Sequence, residues 1–123
     1  MILRILSGAI VALAVVLGLA VATANTPSPS PQLLVTGKAI YESSVGCHAC
    51  HGVTGQGNGP VAFSIKPPPR NFVTEPFKGG DSVEQVFATI TYGLPRTSMV
   101  GYPQVPEVHR WALAYYVLSF RRR

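Results

Sequence analysis

The sequence predicts an all-α fold: three to four helices, preceded by an apolar N-terminal helix. Three observations predict it. Apolar residues recur at steps of three and four through Leu34, Gly37, Tyr41 and Val45, and again through Val83, Val86, Phe87 and Ile90. The segments between these stretches are broken by glycine and proline, which end helices and do not continue them. Finally, Cys47-His48-Ala49-Cys50-His51 places two thiols one helical turn apart with an imidazole directly after the second.

That C-x-x-C-H run is the attachment sequence of a c-type haem. Each thiol can form a thioether with a haem vinyl group, and the adjacent histidine can then ligate the iron axially. A zinc site would need a third and a fourth ligand, but the chain has only these two cysteines. A redox dithiol or a plain disulfide has no need of the following histidine. Cys47, Cys50 and His51 are therefore the expected haem-binding residues, with His51 on the metal.

A chain of 123 residues has room for one domain, and a domain this small needs a staple. A large apolar ring between helices supplies core as well as chemistry. The formal net charge of +5 favours an acidic protein partner or an anionic membrane face. Nucleic acid is a poor candidate, because the basic residues are scattered except at Arg121-Arg122-Arg123 and are not interleaved with aromatics.

Residues 5–24 form an almost purely apolar run, preceded by Arg4 and closing in Ala22-Thr23-Ala24. A helix of that length spans a bilayer core, whereas the closing Ala-x-Ala reads as a signal-peptidase site cutting before Asn25. On either reading Arg4 holds the N-terminus in the cytoplasm and the rest is exported to the periplasm or another extracytoplasmic space. Residues 1–24 are thus a signal peptide or membrane anchor, 25–32 a Pro/Ser-rich tether, and 33–123 the haem domain. Ser30 can cap, and Pro31 can open, the first helix, where Gly37 costs about 1 kcal/mol relative to alanine and so marks a close helix crossing.

The four glycines between Gly52 and Gly59 predict a loop with positive-φ positions. The absence of a Gly-Lys-Ser/Thr ending and of a preceding strand argues against a phosphate cradle. Lys66-Pro67-Pro68-Pro69-Arg70 continues it as a stiff polyproline segment. Ser82 with Gln85, or Asp81 with Glu84, can form a capping box for a helix that Gly93 and Pro95 stop. The last helix opens at Pro106-Glu107 and runs to about Phe120. It is apolar almost all round, so it packs on two sides or is covered by a partner or membrane.

An electron carrier needs both axial positions of its iron filled. Met99, the only methionine besides Met1, lies in a loop bracketed by glycines and prolines, and a thioether there suits a soft ligand that raises the potential. His109 is the rival, and His48, between the two thioethers, is expected to point to solvent.

From Leu33 to Phe120 the chain resembles a small monohaem class I cytochrome c: a Gly-x-x-x-Tyr helix, CHACHG, a Gly-rich loop ending in Gly-Pro, a middle helix, a methionine loop and a Trp-containing last helix. The resemblance implies the cytochrome c fold around one haem, with Gly37 and Tyr41 crossing Leu113 and Tyr116. It also implies that the Pro60 carbonyl accepts the hydrogen bond from the His51 ring, which would orient the imidazole. Arg70 is a candidate partner for a haem propionate. The segment from Gly93 to Met99 is similar to the methionine loop of members that act as domains or subunits of respiratory and oxidative enzymes.

The expected function is one-electron transfer between respiratory or photosynthetic redox proteins, without a small-molecule substrate or catalysis of its own. The chain would be a free carrier, a carrier leashed by its proline-rich tether, or a fixed cytochrome subunit of a membrane oxidoreductase. The alternatives are a haem enzyme or a gas or peroxide sensor with a displaceable sixth ligand, and a metal-free structural module.

Overall fold

The computed structural model describes residues 26–122 of the chain. The apolar run at 5–24, with its competing signal and anchor readings, lies outside the described residues. Four α-helices follow one another: α1 (Pro31–Tyr41), α2 (Cys47–His51), α3 (Val83–Tyr92) and α4 (Glu107–Ser119), with short 3₁₀ turns at Ala62–Ser64 and Phe120–Arg122. Among the described residues there is no strand, only one antiparallel bridge between Gly93 and Val100. No helix among them is long and apolar enough to cross a membrane.

Local chemistry sets the helix starts. The Ser30 hydroxyl accepts from the Leu33 amide at 3.1 Å, with Pro31 in the first turn of α1. Ser82 and Gln85 form the reciprocal capping box of α3, which leaves Glu84 on the first turn. There the Glu84 carboxyl sits below its ordinary range, held down by its own backbone amide and by the Thr26 hydroxyl. Gly93, at φ +75°, ends α3, because only a residue without a side chain takes that conformation easily.

The Pro/Ser-rich segment is tied down where it is described. The Tyr115 hydroxyl of α4 donates to the Pro27 carbonyl at 2.6 Å, and the Thr26 hydroxyl donates to Glu84 of α3 at 3.0 Å. Residues 26–30 thus lie against the helical body, and α1 begins two residues before the expected domain boundary at 33.

The core sits where α4 crosses α1 and α3. At Gly37 an added Cβ would lie 2.2 Å from the Ala112 carbonyl oxygen and 2.7 Å from the Tyr116 Cβ, so this glycine is the point of closest helix approach. Ala112 and Tyr116 of α4 meet Gly37, and Leu113, in the same core cluster as Tyr41 and Tyr116, also lines the cleft described below. The buried Tyr41 ring meets Tyr116 edge-on at 5.3 Å and Phe120 at 5.5 Å, and its hydroxyl donates to the Gly52 carbonyl at 2.7 Å. On the other side of α4, Trp111 stacks on Phe87 of α3 at 3.8 Å. The nearly all-apolar α4 is therefore buried on two sides by its own chain, the first of the two explanations its composition allowed.

Candidate haem site

Cys47 and Cys50 stand on the same short helix as His51, so one turn of α2 carries all three groups of the motif. The glycines around it let the chain close tightly. Gly52, Gly55 and Gly57 take φ between +72° and +77°, and a Cβ on Gly59 would lie 2.2 Å from the Ala49 carbonyl oxygen. The loop from 52 to 60 folds directly back on α2, with Gly59 N donating to Cys50 O and Gly57 N to His51 O.

The His51 ring is held from a different segment than expected. Its Nδ1 lies 3.1 Å from the carbonyl oxygen of Arg70, not Pro60. A carbonyl only accepts, so Nδ1 carries the hydrogen and Nε2 keeps its lone pair for a metal. The physical reason is the chain path: Pro60 continues the tight return onto α2, whereas the polyproline segment brings the carbonyl of Arg70 beside the imidazole. Burial pushes His51 below the ordinary imidazole value, with the Arg70 bond opposing, which favours the neutral, ligating form. Burial likewise pushes the Cys47 thiol up to about 11.

Phe72, two residues on, stacks on the His51 ring at 4.2 Å and 20°. No sequence signal singled it out beyond an aromatic residue following the proline run. His48 also departs from expectation: it is half-buried, and its Nδ1 bonds the Tyr41 carbonyl at 3.1 Å, so it secures the end of α1 to α2.

Met99 sits in a loop whose backbone closes on itself. Leu94 N donates to Met99 O at 3.0 Å, Met99 N donates to the Thr97 hydroxyl at 3.1 Å, and that hydroxyl donates to Leu94 O at 2.8 Å. Pro95 and Arg96 make the turn, with Arg96 in the left-handed region at φ 59°. Cβ atoms on Gly93 and Gly101 would strike the Met99 and Thr91 carbonyl oxygens at 2.6 and 2.4 Å, so the base of the loop admits only glycine.

These pieces meet in one cleft of about 1100 Å³, open in part to solvent. Cys47, Cys50, His51 and Met99 all line it, together with Arg70 and a mainly apolar wall that includes Ile65, Pro68, Phe72, Val86, Ile90, Leu94, Leu113 and Val117. His109 is not among the lining residues. The donor set fits a c-type haem: two thiols, an imidazole with a free nitrogen, a thioether and an apolar enclosure. One further observation fits. The Nε of Arg70 is buried without a hydrogen-bond partner although the guanidinium already pairs with Glu75, leaving a donor suited to a carboxylate such as a haem propionate. Among the described residues no group of three or more His, Cys, Asp and Glu side chains is placed to hold a metal ion by itself.

The family model described as cytochrome c oxidase, cbb3-type, subunit III matches residues 32–117. A solved chain of the reducing HAO-like protein complex of Kuenenia stuttgartiensis is similar at 35% identity with a TM-score of 0.73, over 77% of this chain and 46% of that one. This chain thus corresponds to about half the length of that relative. No curated protein matches it. With a helical body, the C-x-x-C-H helix and the family match over most of the chain, this protein belongs to the cbb3-type cytochrome c oxidase subunit III family and is a monohaem c-type cytochrome domain.

Proposed function

We propose that this domain is a one-electron carrier whose haem iron is held between His51 and Met99, acting outside the cytoplasm beside larger redox proteins. The observation that carries the proposal is the convergence of both candidate ligands and both thiols on one apolar cleft, although 48 positions separate His51 from Met99. When bound, the haem supplies reversible cycling between Fe(III) and Fe(II).

The chain's own contribution is to keep the ligands still. His51 is held by the Arg70 carbonyl and the Phe72 ring, and Met99 by hydrogen bonds at both its backbone N and O. Groups fixed in this way need little rearrangement when the charge at the centre changes. The walls of the cleft are mainly apolar, so a haem filling it displaces water, and the unpartnered Nε of Arg70 supports a role for that residue in holding a propionate.

Charge favours an acidic partner. Three of the five acidic residues are in ion pairs, Glu42 with Lys38, Glu75 with Arg70 and Asp81 with Arg121, while Glu84 and Glu107 accept hydrogen bonds from the neutral Thr26 and Trp111. Lys66, Lys78 and Arg96 form no ion pair among the described residues, and all three stand on segments that line the cleft. Unbalanced positive charge therefore surrounds the mouth. Reversal in Lys78→Glu/Arg96→Glu is expected to slow oxidation by anionic hexacyanoferrate(III) roughly ten-fold or more at low salt, within the 10–10³ range of electrostatic steering. Oxidation by a cationic cobalt complex should accelerate, and both effects should fade as ionic strength rises; stopped-flow absorbance reads each rate.

The relatives named above are components of oxidase and HAO-like assemblies, which supports a place for this chain as a subunit or docked domain of such a complex. Export rests on Arg4 and the apolar run at 5–24.

Optical spectra of the holoprotein test the proposal against a haem enzyme or sensor. The oxidised protein should show the far-red sulfur-to-iron band, and CO should leave the reduced spectrum unchanged. A missing band together with CO binding would make the open-site reading the correct one.

A further inference from the structure

Resting on the reading of His51 as an iron ligand, we propose that Phe72 is a positioning residue that sets the rotation of the His51 imidazole about the metal–nitrogen axis. Two contacts hold the imidazole, and they constrain different motions. The Nδ1–Arg70 bond at 3.1 Å fixes where the ring nitrogen sits, but a hydrogen bond weakens slowly over tens of degrees and tolerates twist of the ring plane. The Phe72 ring at 4.2 Å and 20° does not tolerate it, since turning the imidazole drives its edge into a flat neighbour.

Such a stop works only if Phe72 is itself immobile. Its amide donates to the Gly55 carbonyl at 2.7 Å, and Asn71 Oδ1 accepts from the amides of Val73 and Thr74, fixing the backbone on both sides. Its ring is 7% exposed and lies nearly parallel to Phe77 at 5.2 Å and Phe120 at 6.1 Å. Gly55 lets the loop close here: at φ +72°, its added Cβ would lie 2.7 Å from the Phe120 ring. His51, Phe72 and the two outer phenylalanines therefore form one layered stack, interplanar angles 18–20°, running from the imidazole into the core.

The plane angle of an axial imidazole governs the g-anisotropy of a low-spin ferric haem and the spread of its methyl proton resonances, so both report the proposed role where stability alone does not. In the ferric holoprotein, Phe72→Leu is expected to change both, and Phe72→Tyr, which keeps a ring in the stack, to restore them. Trp111→Leu, which removes a buried ring that neither lines the cleft nor touches Phe72, should lower stability and leave both near native. Should Phe72→Leu fail to retain haem, Phe72→Met, which fills the space without a plane, is read in its place. A native methyl spread in the leucine or methionine variant, or an equal change in Trp111→Leu, overturns the proposal. A native protein without a low-spin His–Met signal would instead sink the carrier reading, so the two failures are distinguishable.

Discussion

Replacing Met99 by alanine is expected to lower the reduction potential by roughly a few tenths of a volt, a sizeable part of the ~0.8 V that axial ligands span. The far-red band should vanish and the ferrous protein should gain CO binding. A thioether is a soft ligand that favours the reduced iron, and alanine cannot reach the metal. The loop itself should persist, because its closing hydrogen bonds use the backbone N and O of Met99 and the hydroxyl of Thr97, none of which the substitution removes. Circular dichroism of the variant should therefore stay native while potentiometry and CO titration change. An unaltered spectrum would eliminate Met99 as a ligand.

The second large effect lies far from the iron. Gly37→Ala sets two magnitudes against each other. Helix propensity favours alanine over glycine by about 1 kcal/mol. Packing opposes it: the new Cβ would be 2.2 Å from a backbone carbonyl of α4 and 2.7 Å from the Tyr116 Cβ, and neither can swing away as a flexible side-chain tip would. Overpacking of this kind costs about 1–3 kcal/mol and more where backbone must move, so the net sign is destabilising. Gly37→Val should be worse, and denaturant unfolding of the holoprotein measures both. Ala39→Val, at an exposed position of the same helix, should lose no more than about 0.7 kcal/mol. A Gly37→Ala variant as stable as the parent would mean that the two helices sit further apart than described.

Several parts of this fold were legible because local chemistry alone specifies them. Ser30 with Pro31 and Ser82 with Gln85 announce helix starts through their own hydrogen-bonding groups. Gly37 in mid-helix announces a close crossing, since nothing else repays its conformational cost. The glycines and prolines around Met99 announce a constrained loop, and the structure closes that loop at Gly93 and Gly101. The two-sided burial of α4 was legible only as one of two possibilities, because an apolar surface does not say what covers it.

The residues that were not legible share a different cause. Every residue carries a carbonyl, so no side-chain pattern says that Arg70 and not Pro60 accepts the hydrogen bond from His51; the path of the polyproline segment decides it. The same path brings Phe72 onto the imidazole, and the turn after α1 brings the Tyr41 carbonyl to His48. By itself, the sequence determined the chemistry on offer: two thiols, an imidazole and a thioether on helices and loops whose ends it also marked. Only the tertiary structure decided which backbone groups and rings hold those side chains in place, because such contacts depend on where distant segments of chain come to lie and not on which residues they contain.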